Sequence, residues 1–153
     1  MRHCVIPSPV GKLLIAHDDA GLTAVLRTDE PPAAPSTPLL CEAVRQLHAY
    51  FAGTLTDFDL PLRLTGTPFQ LQCWEALRSI PYGETISYGE QARRIGKPKA
   101  TRAVGGANHR NPLCIVVPCH RVIGADGSLT GYGEGIDMKR WLLAHEQAVI
   151  HRK

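Results

Sequence analysis

The hydrophobic and polar positions of the first sixty-odd residues describe a small sheet and one helix. Val10 to Ala16 and Leu22 to Arg27 read as strands joined by the turn Asp18-Asp19-Ala20-Gly21, and Phe58, Leu60, Leu62 and Leu64 alternate as a third strand. The proline-rich stretch 31–38 is a loop. Thr37 is then placed to cap a helix opened by Pro38, with Leu40, Val44, Leu47 and Phe51 at helical spacing as far as Gly53. Nothing in this part assembles a catalytic constellation, so a structural domain over residues 1–65 is expected.

From Thr67 onward the pattern is helical. Thr67-Pro68-Phe69-Gln70 is a capping box for a helix whose Phe69, Cys73, Trp74, Leu77 and Ile80 face a core and which Pro81-Tyr82-Gly83 closes. Ser87-Tyr88-Gly89-Glu90 opens a second, short helix that stops at Gly96. Pro98 restarts one through Thr101, Arg102, Ala103, Gly105 and Gly106, which makes the pair look like a helix-turn-helix. Cys114 to Val117 reads as a strand delivering Cys119. A last helix, Ile136 to Val149, turns Leu142, Leu143 and Val149 to a core and carries Glu146 on or beside that face.

Charge sharpens this outline. The 153 residues, 44% of them apolar, can form one or two domains with real cores, and the formal charge of +3 is unevenly divided. Residues 1–65 hold five basic and seven acidic groups, whereas residues 66–153 hold twelve and seven. Between Gln91 and Ala125 there are seven Arg and Lys and no Asp or Glu, so this part should meet a polyanion, and nucleic acid is the obvious one. No apolar stretch approaches the roughly 18 residues of a membrane span, and MRHCVIPSPV lacks the apolar core of a signal peptide. A cytoplasmic protein without membrane contact is expected. The five cysteines, at 4, 41, 73, 114 and 119, form no C-x-x-C pair, and His3, Cys4 and His17 match no regular zinc spacing. Free thiols and no metal are expected.

The candidate chemistry centres on Pro118-Cys119-His120-Arg121. A thiol near its reference pKa of about 8.5 is only a few per cent thiolate at neutral pH, so a nucleophilic Cys119 needs a base or a positive field beside it. His120 and Arg121 are adjacent. Glu146 would not remain unpaired on an apolar face, because burying a lone charge costs several kcal/mol, and His120 is the natural partner. A Cys, His and Glu relay results. In the helix before it, Arg102 is the one long side chain among Ala103, Gly105, Gly106 and Ala107. Such a thin helix can approach DNA closely; the competing explanation, small residues for tight helix packing, leaves the basic surroundings without a role.

These residues closely resemble the O6-alkylguanine-DNA alkyltransferases, also called methylated-DNA-protein-cysteine methyltransferases. IPYGETISYGE, KATRAVGGANHRNP, IVVPCHRVIG, LTGY and WLLAHE stand in that family's order and spacing from about Thr67 to Glu146, whereas the N-terminal part is similar only in layout and in Ser8-Pro9-Val10-Gly11-Lys12. The resemblance implies an α/β (α+β) fold: a small N-terminal antiparallel sheet plus helix domain over 1–65, then a mostly helical, winged helix-turn-helix-like domain over 66–153 carrying the active-site Cys.

It further implies direct-reversal DNA repair. The alkyl group of O6-alkylguanine, with O4-alkylthymine as a second lesion, would pass irreversibly to Cys119 in a single-turnover reaction. His120 and Glu146 would draw off the thiol proton, and Tyr88 would protonate the departing guanine. Arg102 would fill the gap left by the flipped nucleotide, with Thr101, Ala103, Gly105, Gly106, Lys99 and Arg110 on the DNA side. Asn111 and Pro118 would brace the nucleophile, and Val122, Tyr132 and Gly133 would line the guanine pocket. The implied partner is double-stranded DNA containing O6-alkylguanine, met by a monomer that could cluster on DNA, with no cofactor and no metal. One departure is Gly133-Glu134-Gly135, which puts a carboxylate where the family commonly has small residues.

Two other classes compete. A binding module that flips lesions without repairing them would lack Cys at position 119. A Cys-His hydrolase or thiol oxidoreductase would need an oxyanion hole or a resolving thiol; Cys114, an odd number of residues away along the expected strand, should point to the opposite face.

Overall fold

Arg2–Ile6 (β1), Leu13–His17 (β2) and Leu22–Arg27 (β3) form an antiparallel sheet in the order β1-β2-β3, and Pro38–Phe51 (α1) is the one helix of this part. The computed structural model describes residues 2–129 and 132–152, so Thr130 and Gly131 of the LTGY motif lie outside the described residues. Residues 1–64 make one compact unit and residues 65–153 a second.

In the first unit, Cys4, Ile6, Leu13, Ile15 and Val25 of the sheet and Leu40, Ala43, Leu47 and Tyr50 of α1 are buried. Thr37 caps α1 as its sequence predicts, its hydroxyl accepting from Leu40 N at 3.2 Å. His17 faces the same hydroxyl through Nε2 at 2.8 Å while Nδ1 faces Asp18 O at 2.8 Å, so both ring nitrogens are engaged within the protein. The third strand is not where alternation placed it. Arg2–Ile6 pairs with β2, Cys4 opposite Ile15, whereas 58–64 contributes a single bridge, Leu22 with Leu62. The reason is local: Pro61 has no N–H to give a ladder, and the Gln46 side chain takes both the N–H and the C=O of Asp59, at 2.9 Å each. β2 also starts later than expected, at Leu13, because Ser8 to Gly11 closes a turn with Gly11 at φ +108°.

The second unit runs Pro68–Leu77 (α2), Ile86–Ser87 (β4), Tyr88–Arg94 (α3), Thr101–His109 (α4), Val122–Ile123 (β5) and Ile136–His151 (α5), with a 3-10 turn at Cys119–Arg121. The Thr67/Gln70 box is complete. At the start of α3 only half of the expected box forms: Ser87 Oγ accepts from Glu90 N, but the Glu90 carboxylate turns to Arg93 and Arg94, at 3.0 Å each. Gly96, at φ +76°, ends this helix, and α4 begins at Thr101 rather than at Pro98, which sits in the connecting turn.

Buried amides fix the angle between the paired helices. Gln91 of α3 and Asn108 of α4 exchange two hydrogen bonds, at 3.0 and 2.7 Å, and Gln91 also donates to Cys73 O of α2. Trp74 Nε1 donates to Ala107 O at 2.9 Å. Among the described residues no helix is long and apolar enough to cross a membrane. Asn108→Ala strands the Gln91 amide in the core and should lower stability by about 1–3 kcal/mol in urea denaturation, whereas Gln91→Leu with Asn108→Leu should cost less than the sum of the single changes.

Candidate active site and nucleic-acid interface

The segment between α4 and Cys119 winds around one side chain. Asn111 Nδ2 donates to Val117 O at 2.8 Å and to Cys119 Sγ at 3.2 Å, while Oδ1 accepts from Leu113 N at 2.9 Å. Cys114 to Val117 is consequently a turn and not the strand its apolar run suggests. Its bends include Ile115 at φ +73°, a region that β-branched residues rarely occupy. Cys114 therefore does not sit on the far face of a strand: it is buried in this turn, its thiol donating to Asn111 O at 4.0 Å, and the charge of Cys119 reaches it. Pro118 leads into the 3-10 turn that carries Cys119, His120 and Arg121, all buried.

Glu146 organises what lies behind the thiol. It is 1% exposed, and its carboxylate accepts from His120 Nε2 at 2.6 Å, from Arg121 Nε at 2.9 Å and Nη2 at 3.1 Å, and from Gly83 N at 3.1 Å. Burial opposes its charge, but the hydrogen bonds from His120 and Arg121 outweigh burial and hold the carboxyl well below the usual range. Burial pushes the His120 imidazole down, so Arg121 is the standing cation of the cluster and His120 is neutral at pH 7. A carboxylate can only accept, so Nε2 carries the ring hydrogen. Nδ1 is then the basic atom, and it has no hydrogen-bond partner among the described residues. Arg121, expected only to add charge near Cys119, turns inward: Nη1 donates to Ile80 O at 2.8 Å and the guanidinium lies 5.4 Å over the Tyr82 ring.

β4 and β5 bring Tyr88 to the same place. Ile86 pairs with Val122 and Ser87 with Ile123, which seats the first residue of α3 beside the nucleophile turn. Lys139 links the parts; its Nζ donates to Val122 O at 2.6 Å and to Tyr88 Oη at 3.4 Å, although it is buried. Sequence reasoning missed Lys139. The signal was the helical spacing that located Glu146, since the buried stripe of α5 is Met138, Lys139, Leu142 and Glu146, with Leu143 and Val149 only half-buried.

Tyr132 is buried close to both thiols, and burial, then the charge of Cys119, pushes its phenol up. A Cβ at Gly133 would lie 2.5 Å from His109 O, so this position must be glycine to pack on the end of α4. Glu134 is half-buried, and its charge reaches Cys114 and Tyr132. The Cys119 thiol itself is held below the usual thiol range, chiefly by the neighbouring Cys114 thiol and then, against burial, by the Asn111 hydrogen bond and the Lys139 charge.

On the outer side, Thr101, Arg102, Ala103 and Gly106 of α4 are exposed and Val104, Ala107 and Asn108 face inward. A Cβ at Gly106 would meet nothing within 4 Å, and one at Gly105 only the Tyr88 ring at 3.8 Å. Tight helix packing therefore does not account for Gly106. The acid-free run is a smaller surface than its count suggests: Arg93 and Arg94 pair with Glu90 and Arg121 is buried, leaving Lys97, Lys99, Arg102 and Arg110 exposed.

A basic helix-turn-helix beside a buried, activated thiol defines the class of proteins that act on nucleic acid through cysteine. Residues 68–148 match the family described as 6-O-methylguanine DNA methyltransferase, DNA binding domain, and residues 1–64 its ribonuclease-like domain. A methylated-DNA–protein-cysteine methyltransferase of Methanosarcina acetivorans is 50% identical, over 95% of this chain and 98% of its own, and one of Mycolicibacterium paratuberculosis is 54% identical over 96% and 93%. The crystal structure of Mycobacterium tuberculosis OGT in complex with DNA superposes with a TM-score of 0.90 at 51% identity, covering 97% of this chain and 94% of that one. The chain belongs to the 6-O-methylguanine DNA methyltransferase family.

Arg121→Met leaves the Glu146 charge uncompensated and should cost about 3–5 kcal/mol in urea denaturation at pH 7. Because the folded carboxyl lies below its unfolded value near 4.3, the stabilisation by this pair is present above that pH and is lost below it. The difference between wild type and Arg121→Met should therefore begin to shrink near pH 4 and go on shrinking as pH falls further toward the folded carboxyl's value.

Proposed function

We propose that this protein reverses alkyl damage in DNA directly, by moving the alkyl group from O6 of a flipped-out guanine to Cys119. The observation that carries the reading is the arrangement around the thiol: a Cys119 sulfur that accepts from Asn111 and is held toward its anion, and a neutral His120 whose Nε2–H is tied to Glu146 and whose Nδ1 is left basic. His120 takes the thiol proton through a water. The S–C bond forms as the C–O6 bond breaks, the electron pair of that bond passes to the guanine, and Tyr88 supplies the proton that neutralises it. Lys139 donates to Tyr88 Oη, so the phenol hydrogen does not point at the ammonium. Thiol plus alkylguanine become thioether plus guanine, and among the described residues none is placed to cleave a thioether, so one molecule repairs one lesion. O4-alkylthymine, with the same alkyl–oxygen bond, is a second substrate.

On this reading residues 66–153 bind DNA and perform transfer while 1–65 are structural. Arg102 fills the space left by the extruded nucleotide. Thr101, Ala103, Gly105 and Gly106 allow close approach, Lys99 and Arg110 contact phosphate, and Val122, Tyr132 and Gly133 shape the pocket. Glu134 stands at its lip. The protein works as a monomer in the cytoplasm, where its five free cysteines remain reduced.

Incubation with duplex DNA containing O6-methylguanine should add one methyl to the intact mass, located on the peptide with Cys119, and excess substrate should add no second one. Cys119→Ser should abolish the gain while retaining DNA binding. Repeated turnover would contradict the mechanism. Arg102→Ala should slow repair in duplex DNA much more than reaction with a free alkylated base, which needs no flipping, whereas Lys97 or Lys99 replacements should weaken binding modestly and flatten its salt dependence. Equal losses toward both substrates in Arg102→Ala would remove its role in extrusion.

A further inference from the structure

The chain reverses twice on its way to Cys119, each time within three residues. Val116 N donates to Cys114 O at 2.8 Å around Ile115, and Cys119 N donates to Val117 O at 2.8 Å around Pro118. The two turns differ in hand and in cost. Pro118, at φ −82° and ψ 65°, makes the inverse γ-turn, an ordinary conformation whose φ the proline ring already favours. Ile115, at φ +73°, makes the rare, strained form, and it is the one non-glycine residue at positive φ among the described residues. Glycine would take this backbone without strain. The residue present is the opposite choice, a side chain branched at Cβ and only 1% exposed. The reversal lies midway between the two backbone groups that Asn111 holds, Leu113 N and Val117 O, and Val117 N closes the same loop by donating to Leu113 O at 2.9 Å. One amide reaches both ends of 113–117 only because the chain between them folds back. Its remaining hydrogen is the one that meets Cys119 Sγ, at 3.2 Å.

We propose that Ile115 is a positioning residue of the transfer reaction: its buried side chain pins a strained turn that would otherwise open and withdraw the Asn111 amide from the Cys119 sulfur. This deepens, and rests on, the reading of Cys119 as alkyl acceptor. Ile115 acts through Asn111 and takes no part in the bonds made and broken. An unfavourable backbone persists only where the surroundings over-determine it, and here burial of the isoleucine does so. With the amide in place the sulfur develops its negative charge against a donor; without it the thiolate is less favoured and the attacking atom less well aimed. Alanine and glycine separate this role from packing. Both remove the buried branch, but alanine keeps a Cβ that the turn strains and glycine does not. At an ordinary buried site alanine is the better replacement, because glycine loses more backbone freedom on folding, whereas at positive φ the order reverses.

The full chain as wild type, Ile115→Val, Ile115→Gly and Ile115→Ala is unfolded in urea and assayed for methyl transfer from O6-methylguanine duplex. In parallel it is treated with iodoacetamide across neutral to alkaline pH, and modification of Cys119 is followed on the peptide that contains it. The other groups that bear on this titration are Cys114 from the turn, Lys139 from α5, Tyr132 and Glu134 from the loop before α5, and His120 with Glu146 and Arg121. All are the same in every variant, so a displaced profile reports the Asn111 contact. Ile115→Ala should transfer methyl up to about a hundredfold more slowly than wild type, with its Cys119 profile moved to higher pH. Ile115→Gly should unfold at higher urea than Ile115→Ala, transfer faster and bring the profile back, and Ile115→Val, which keeps the branch, should lose least. A decline that follows side-chain size, valine then alanine then glycine, or a Cys119 profile that Ile115→Ala leaves in place, would overturn the proposal. Should neither small variant fold, amide exchange in the wild type decides. A Val116 N–H as protected as the buried stripe of α5 supports the pinned turn, and exchange at the rate of an open loop contradicts it. Absence of methyl transfer in the wild type would instead defeat the function, while the urea and iodoacetamide curves would still report on Ile115.

Discussion

One buried carboxylate holds the chemistry of the second unit in place. Glu146 draws together the 3-10 turn through His120 and Arg121, the turn after α2 through the contact of Arg121 with Ile80 O, and the following loop through Gly83 N. Each attachment satisfies a lone pair that burial would otherwise leave unpaired. The geometry this imposes is also the electrostatics the reaction needs. Arg121 supplies the permanent charge, so His120 can remain neutral, and the direction of its one hydrogen follows from a partner that can only accept.

The nucleophile turn obeys the same principle with a neutral side chain. Asn111 captures the backbone of Leu113 and Val117 and reaches the sulfur, so the segment coils where its β-branched residues favour extension. The strain at Ile115 is the local cost of this arrangement. On the far side of α4 the requirement is reversed: Gly106 leaves the surface bare, and Gly133 admits the loop against the helix end.

Features encoded by neighbouring residues were legible in the chain. Thr37-Pro38 and Thr67 to Gln70 specify helix starts through local hydrogen bonds, and the helical spacing of Leu142 and Glu146 put the carboxylate on a buried face. Features encoded by a distant partner were not. β1 has two exposed residues followed by three buried ones and shows no alternation, and the 58–64 run loses its strand to Gln46 and Pro61. Arg121 and Lys139 are cations whose burial depends on Glu146, Val122 and Tyr88, so composition alone assigns both to solvent. Cys114 was misplaced because a side-chain amide, not backbone propensity, decides the path from Leu113 to Val117.

The chemistry of Cys119 turns on the state of one imidazole. Nitrogen-15 NMR of His120 in the full chain at pH 7 reads the charge and tautomer of the ring directly. A neutral ring with hydrogen on Nε2 and a basic Nδ1, persisting below the ordinary histidine pKa of about 6.5, is the predicted result. A charged imidazolium at pH 7, or a neutral ring with hydrogen on Nδ1, would contradict it.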